Sequence, residues 1–241
     1  MEEKTLKKIV TLLEEYKQRE NFNEIENFHN DRIKKIKKNE IPIPLFGNGK
    51  LVIHLIPFES FKNPKYYDVS NLNTRIRSLN LNKLLLTSHT YNFDGLLYFR
   101  DRDDKKCYEY VQIFRNGIIE AAHCNFYSSE EKILYILDIE RKIISIIKNS
   151  LILQKELGFK PRIVFYFDLL GVKNFLIKTN HINIFSDHHP MYMEDLNFPK
   201  IIINKFDIEV EKMLKMNFDR IWNACGYPGS DYYDKNGMRK E

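Results

Sequence analysis

The stretch that decides the fold runs from Tyr110 to Ala121 and reads YVQIFRNGIIEA. Its two halves are rich in β-branched and aromatic residues, which favour strands. Between them stands Asn116-Gly117, the strongest short signal for a two-residue hairpin, because both turn positions then favour a positive φ. We therefore expect two antiparallel strands, over Tyr108–Arg115 and Ile118–Cys124, joined by a tight turn.

The tight turn also predicts which residues face each other. Counting two residues in the turn places Tyr110 opposite His123. Leu96–Arg100 is a further predicted strand, which completes a three-stranded meander. Since alternate side chains of a strand share a face, we expect one core-facing side made of Tyr108, Tyr110, Phe114 and Ile119.

Working outward, the flanking segments predict the remaining elements. Leu51–Ile56 is an apolar run interrupted only by His54, which indicates a strand buried on both faces. Ser128-Ser129-Glu130-Glu131 has the pattern of a capping box and predicts the start of a long helix that ends near Gly158. We further expect strands over Arg162–Leu169 and Lys200–Lys205, a helix capped by Asp207, helices over residues 4–17 and 23–38, and loops over 62–92 and 178–198.

Strands grouped ahead of helices indicate an α+β fold with a mostly antiparallel sheet. We expect a long central helix and a C-terminal helix to cover that sheet, with Trp222 packed in the core. The chain divides into an N-terminal helical extension over residues 1–40, a single α+β domain over 41–226 and a C-terminal tail over 227–241.

Composition excludes some classes of protein. The chain of 241 residues has an ordinary hydrophobic share of 43% and contains no apolar run long enough to span a membrane. Its start, Met1-Glu2-Glu3-Lys4, lacks an apolar signal segment. Three widely spaced cysteines indicate reduced thiols and a cytoplasmic location. The net charge of +5 is too small to argue for an anionic partner.

The candidates for chemistry are few, and each has a plain structural alternative. Asp94, Glu109 and Glu120 lie on or beside the meander, where carboxylates on adjacent strands can hold Mg²⁺, and His54 could serve as a base. We favour solvent-facing carboxylates and a core histidine. The sequence has no P-loop and no GxGxxG, HExxH or GxSxG motif.

Three further groups could bind a ligand. A basic run in the second helix could contact phosphates, although such runs are commonly solvated helix ends; it comprises Arg32, Lys34, Lys35, Lys37 and Lys38. Asn92 and Arg115 could anchor a small molecule. Asp187-His188-His189, near His181, could ligate a metal, but the spacing fits no standard site, so we favour a loop and expect no metal.

Several segments in order resemble a known family. They are Arg32-Ile33 with Ile41–Pro44, then Lys50–Pro57, Tyr91–Leu96, Tyr110–Ala121, Leu169–Val172 and Ile221–Pro228. Together they resemble the C-terminal region of bacterial Schlafen/AlbA-type proteins, often labelled ATP-binding or DNA-binding, over residues 24–233. Those proteins carry an AlbA domain ahead of this region, whereas about 25 residues precede it here. The family's labels of ATP and DNA binding therefore transfer to no residue of this chain.

The resemblance implies an accessory or sensing region that acts with a separately encoded nucleic-acid-handling partner. We accordingly expect a non-catalytic binding or regulatory module without a cofactor, which associates with a protein partner or with a second copy. An apolar stripe in the first helix would cover either its own domain or another chain; it comprises Leu6, Ile9, Val10, Leu13 and Tyr16. The alternatives are a metal-dependent enzyme acting on nucleic acid or a nucleotide, and a small-molecule sensor.

Overall fold

A computed structural model describes residues 2–62, 67–79, 81, 86–101, 106–128, 130–179 and 189–240, with side chains in the first helix given at 11, 12, 16 and from 18 onward. The elements in chain order are α1 (Glu2–Lys37), β1 (Lys50–Pro57), α2 (Glu59–Lys62), α3 (Leu72–Ser78), β2 (Ser88–Tyr91), β3 (Gly95–Asp101), β4 (Cys107–Phe114), β5 (Ile119–His123), β6 (Tyr127–Ser128), β7 (Ile133–Tyr135), α4 (Ile136–Glu156), β8 (Ile163–Leu170), β9 (Leu176–Lys178), β10 (Leu196–Asn197), β11 (Ile201–Ile203) and α5 (Val210–Asn223).

The main sheet has the strand order β10-β8-β1-β5-β4-β3-β2, and β11 also pairs with β8. Each of these pairings is antiparallel. A small second sheet has the order β6-β7-β9, with β7 and β9 parallel. The expected α+β fold with a mostly antiparallel sheet is confirmed.

Helices pack on both faces of the main sheet. Every residue of β1 and of β8 is buried, as the apolar run around His54 predicts. One face packs against α4 and α5 in a large apolar core that includes Ile53, Ile113, Ile143 and Phe218. Trp222 is 0% exposed there, so its predicted core position is confirmed. The other face packs against α1 through two smaller clusters.

The hairpin between β4 and β5 corrects the predicted register. Phe114 N donates to Ile118 O and Gly117 N donates to Phe114 O, each at 2.9 Å, which closes a loop of three residues. Gly117 alone in this loop has a positive φ, of 82°. This is a type I turn followed by a left-handed residue, the second common hairpin geometry. The two-residue turn predicted from Asn116-Gly117 is therefore wrong.

The extra loop residue shifts the pairing by one position. Tyr110 lies opposite Ala122, not His123, and Gln112 lies opposite Glu120. A shift of one residue exchanges the faces of one strand relative to the other. Ile119 consequently packs in the α4-side core, whereas Tyr110 lies on the α1 side. Tyr108, Tyr110 and Phe114 do share a face, on the α1 side, but the prediction that Ile119 joins them is wrong.

The helix boundaries also differ from the prediction. Residues 2–37 form one continuous helix, not two. The long helix α4 begins at Ile136. Ser128 Oγ does accept a hydrogen bond from Glu131 N at 3.2 Å, but the turn leads into β7, and Lys132 has a helix-breaking φ of 56°. Helix α5 has Glu209 at its N-cap and not Asp207.

The segment predicted as a loop over residues 62–92 contains α3 and β2. The segment after α5 returns over α4 and α5, where Tyr233 is 5% exposed. The three cysteines are buried thiols. Cys107 and Cys124 belong to the cluster under α1, and Cys225 belongs to the α4-side core. Within the described ranges, none of the helices combines the length and the apolarity needed to cross a membrane.

Candidate functional site

The most concentrated group of buried polar side chains lies between α1 and the main sheet. From residue 21 onward, α1 turns a row of buried side chains toward the sheet, at positions 21, 25, 29, 32 and 36. The spacing of four, four, three and four residues keeps them on one side of a helix. Three of these residues, Asn21, His29 and Arg32, are polar, and the other two are isoleucines.

The Arg32 side chain forms a two-pronged ion pair with Glu120 of β5. Arg32 Nε and Nη2 donate to the Glu120 oxygens at 2.6 and 2.7 Å. Tyr110 of β4 donates its hydroxyl hydrogen to Glu120 Oε1 at 2.8 Å, and His54 Nε2 lies 2.9 Å from Oε2. Glu120 is 0% exposed. This carboxyl group thus has four surrounding donor atoms.

Burial and the surrounding donors act in opposite directions on Glu120. Burial alone would raise the pKa of its carboxyl group, but the hydrogen bonds from Arg32 and His54 outweigh it and lower the pKa to about 2. Burial also works against the charge of Arg32, yet Glu120 holds its pKa above the ordinary value. Burial, followed by the Glu120 charge, raises the pKa of Tyr110 well above its usual value. The pair is therefore ionised and Tyr110 is a neutral donor.

His54 and His29 connect Glu120 to a second carboxyl group, that of Asp168 on β8. His29 Nδ1 lies 3.0 Å from His54 Nδ1, and His29 Nε2 lies 3.4 Å from Asp168 Oδ2. The His29 ring stacks on Tyr166 with centroids 4.0 Å apart. Burial lowers the pKa of His29 to about 3, so the close approach to Asp168 is not an ion pair. Burial, with the charge of Asp195, raises the pKa of Asp168 to about 7.

The positions of the hydrogens along this row of side chains are assigned from the pattern of hydrogen-bond partners. With Asp168 protonated, its hydroxyl faces His29 Nε2, His29 Nδ1 donates to His54 Nδ1, and His54 Nε2 donates to Glu120. The arrangement thus places two histidines between the two carboxyl groups, hydrogen-bonded from His29 to Glu120 and in contact with Asp168 at 3.4 Å.

The row of side chains from Asp168 to Glu120 is enclosed by protein. His29 is 7% exposed, Asp168 is 2% exposed and His54 is 0% exposed. Phe28 and Phe114 pack around this region. A substrate could not reach these groups while α1 stays in place. In this structure the cluster joins α1 to β1, β4, β5 and β8, and its charges are matched internally.

The carboxylates singled out in the sequence are not brought together. Asp94 is exposed in the turn between β2 and β3. Glu109 lies on the α4 face, where it contacts Lys142, Arg100 at 2.8 Å and His123 at 3.2 Å. Glu120 lies on the α1 face. The solvent-facing position expected for Glu109 and Glu120 is wrong, since they are 4% and 0% exposed. Burial opposes ionisation of Glu109, but His123 and Lys142 lower its pKa to about 2.

The proposed ligand anchors have structural partners. Asn92 Nδ2 donates to Gln112 Oε1 at 2.7 Å, and Asn92 Oδ1 accepts from Gly95 N at 2.8 Å. Arg115 Nε donates to Phe93 O at 3.0 Å. These bonds shape the turn that leads from β2 into β3. The pocket anchored by Asn92 or Arg115 stays a prediction.

The basic run is divided between two environments. Arg32 is buried, Lys34 contacts Asp31 at 3.2 Å, and Lys37 pairs with Asp195. Lys35 and Lys38 are exposed. The run therefore does not present five cations to one ligand. His181, Asp187 and His188 lie outside the described residues, while His189 is exposed. No group of potential metal ligands is found in the parts of the chain that the structure describes.

Sequence reasoning identified His54 and Glu120 but missed His29, Tyr166 and Asp168. Two signals were available. Asp168 interrupts the apolar run IVFYFDLL, in the way that His54 interrupts the run on β1. His29 stands one helical turn from Ile25 and from Arg32, on the face that carries Ile36.

Comparisons with family models, with curated proteins and with solved structures find no match to this chain.

Proposed function

We propose that the chain is a non-catalytic binding or regulatory module, of the kind that its resemblance to Schlafen/AlbA-type proteins implies. The first half of α1 is its docking element and a second copy of the chain is its occupant. The observation that carries this proposal is the contrast between the two halves of α1. From Asn21 to Ile36 the helix buries a row of side chains, whereas Leu12 is 55% exposed and Tyr16 is 60% exposed.

The first half of α1 is exposed at most of its described side chains. Gln18, Arg19 and Glu20 are exposed, and a hydrogen bond to the body of the protein joins Arg162 Nη2 to Gln18 Oε1 at 3.3 Å. Residues 2–20 of a helix extend about 28 Å. A helix of this length is marginal in water on its own, so a packing partner would stabilise it.

The sequence of this segment fits a second copy of itself. Leu6, Ile9, Leu13 and Tyr16 follow the alternating three- and four-residue spacing of a coiled-coil seam. Two identical seams can pack face to face. In a parallel pair, Arg19 of one copy and Glu24 of the other occupy the flanking positions that form ion pairs, and both are exposed.

The enclosure of the polar cluster supports binding over catalysis. The groups capable of proton transfer are covered by α1 and matched to one another, which suits a role in fixing that helix. The second half of α1 is thereby held to the sheet, while the first half of α1 extends beyond the sheet.

Light scattering during gel filtration tests the proposal. We expect the full chain to show a concentration-dependent dimer mass, and Tyr16→Lys or deletion of residues 2–20 to give a monomer. Lys35→Glu is the matched control, since Lys35 is an exposed residue of the same helix at a position out of register with the seam. The deletion should leave the melting temperature nearly unchanged. A full chain that is monomeric at every concentration contradicts the proposal, as does a deletion that lowers the melting temperature and leaves the mass per particle unaltered.

A small-molecule sensor is the second candidate, and a specific observation favours it. A cavity of about 480 Å³ lies between α4, α5 and the segment that follows α5. This volume is within the usual range for ligand sites of about 300–1,000 Å³. Neither Asn92 nor Arg115 lines it.

A further inference from the structure

The cavity is formed where residues 230–240 fold back over α4 and α5. Glu140 of α4 is 0% exposed and fixes this segment. Its Oε1 accepts hydrogen bonds from Trp222 Nε1 at 3.0 Å and from Ser230 Oγ at 2.9 Å, and its Oε2 accepts from Arg239 Nη1 at 2.6 Å. These bonds hold Arg239 in place at the wall of the cavity.

The wall combines charged and apolar side chains. Leu137, Tyr232 and Met238 supply apolar and aromatic surface, and Met238 is 50% exposed. The cations on the wall are Arg141, Lys212, Arg239 and Lys240, and the carboxylates are Glu209 and Glu211.

The carboxylates already have cationic partners. Glu211 pairs with Lys148 at 2.5 Å, and Glu209 lies 3.6 Å from Lys212. Within the described ranges no carboxylate pairs with Arg141 or with Lys240, whose Nζ donates to the Asp231 carbonyl at 3.1 Å. After these pairings the cavity wall keeps an excess of positive charge.

Arg239 adds a guanidinium that is fixed by its neighbours. Its Nη2 is buried and makes no hydrogen bond within the part of the chain that the structure describes. The guanidinium also interacts with Tyr233, whose hydroxyl donates its own hydrogen to the Glu211 carbonyl at 2.9 Å. The Arg239 side chain as a whole is 14% exposed and lines the cavity, so its positive charge adds to that of Arg141 and Lys240 at the wall.

We propose that this cavity binds a small organic anion. Arg239 and Arg141 hold its carboxylate or phosphate group, and its apolar or aromatic part packs on Tyr232, Leu137 and Met238. Arginine matches both anion types because its planar fork of donors fits two oxygens at once. The proposal is independent of the docking of α1.

Calorimetric titration with four probes tests the site. They are phenyl phosphate, benzoate, inorganic phosphate and benzyl alcohol, which separate the contributions of the anion and of the ring. We expect phenyl phosphate or benzoate to bind most tightly, inorganic phosphate more weakly and benzyl alcohol not at all. The stronger of the two aromatic anions identifies whether the site favours phosphate or carboxylate.

Arg141→Gln is the decisive variant, since Arg239→Gln would leave the buried Glu140 unpaired and could prevent folding. Arg141→Gln should weaken the better aromatic anion by about tenfold or more and leave the melting temperature of the unliganded protein unchanged. Arg220→Gln is the matched control, because Arg220 is an exposed arginine of α5 that does not line the cavity.

Tyr232→Leu should reduce the preference for phenyl phosphate over inorganic phosphate. Binding by none of the anions overturns the proposal, and so does equal binding by Arg141→Gln and the unaltered chain. Equal binding of benzyl alcohol and phenyl phosphate overturns it as well, because the site would then recognise only the ring.

Discussion

Asp168 is the residue through which the polar cluster under α1 responds to pH. Burial, with the nearby charge of Asp195, raises its pKa to about 7. The native state therefore binds this proton more tightly than the unfolded chain does. The stabilisation is complete below the ordinary aspartate pKa of about 4, and it is lost as the pH rises through about 7.

Asp168→Asn should make the protein more stable at pH 8 and should change its stability little near pH 4. An asparagine keeps a donor beside His29 and has no charge to lose. Between pH 5 and pH 8, the free energy of unfolding of the variant should rise by about 2–3 kcal/mol relative to that of the unaltered chain. Urea unfolding at several pH values measures this difference.

The comparison with Asp168→Asn isolates Asp168 from its neighbours. His29 contributes with the opposite sign, since its lowered pKa makes stability rise as the pH rises from about 3 toward its ordinary value. The other titratable groups near Asp168 and His29 are His54, Glu120, Arg32, Tyr110, Tyr166, Asp195, Lys37 and Glu26. A difference between the two proteins that does not depend on pH would contradict the raised pKa of Asp168.

At the level of single residues, the sequence shows which polar groups stand inside apolar runs but not what they contact. His54 stands out in LVIHLIP, and it is indeed buried. Its partners come from α1, β5 and, through His29, β8, which are remote in sequence. Glu120 was placed on the wrong face because one residue in a turn decides the face of a whole strand.

Among the elements, the β4–β5 hairpin depends most on one backbone position. Gly117 has a φ of 82°, and a Cβ added there would lie 2.0 Å from the Phe159 ring. Phe159 is itself 5% exposed, so it has little room to move. Gly158, which follows α4, has a similar φ of 78°, but a Cβ there would meet nothing within 4 Å.

Alanine substitutions at the two glycines should separate backbone strain from steric overlap. Gly158→Ala should cost about 1 kcal/mol, because only the left-handed backbone is strained. Gly117→Ala should cost about 3 kcal/mol, because the displaced Phe159 ring adds an overpacking penalty. Chemical denaturation of both variants gives the two values. Equal losses would show that the Phe159 ring moves aside freely.

Elements whose signal is local were predicted well. The strands β1, β3, β4 and β8 follow from runs of β-branched and aromatic residues, and each lies within a few residues of its predicted range. The start of α4 was predicted wrongly, because the Ser128–Glu131 capping pattern forms a turn between β6 and β7. Such a turn satisfies the same backbone donor without continuing as a helix. The single helix α1 has no terminator between its halves, which sequence reasoning treated separately.

On the scale of the whole molecule, the sheet separates two unlike layers. The α4 side is a continuous apolar core. The α1 side divides into two smaller clusters with the Arg32–Glu120 pair and the two histidines between them. Each helix also has an ion pair with the sheet, Arg32 with Glu120 on the α1 side and Lys142 with Glu109 on the α4 side, but the apolar cluster is larger on the α4 side. Sequence reasoning anticipated helices on the sheet but not this asymmetry, since the pairs join residues far apart along the chain.

Glu120→Gln should weaken the α1 layer before the rest of the molecule. The variant leaves the buried Arg32 charge without its anionic partner, which typically costs about 3–5 kcal/mol. Hydrogen exchange should accelerate in residues 21–37 more than in β8 or α4. Asp31→Asn is the control, since its exposed pair with Lys34 should contribute less than about 1 kcal/mol. Uniform acceleration across all elements would show that α1 does not open separately.

The rate at which each buried cysteine is alkylated can report the opening of its side of the molecule. Burial raises the pKa of Cys124 and of Cys225 to about 11, so at neutral pH both thiols are protonated and unreactive toward alkylating reagents. Cys124 lies beneath α1, whereas Cys225 lies at the end of α5 in the opposite core. The order in which a reagent modifies Cys124 and Cys225 would show whether the α1 side or the opposite core opens first. The measurement uses the unaltered chain and needs no attached label.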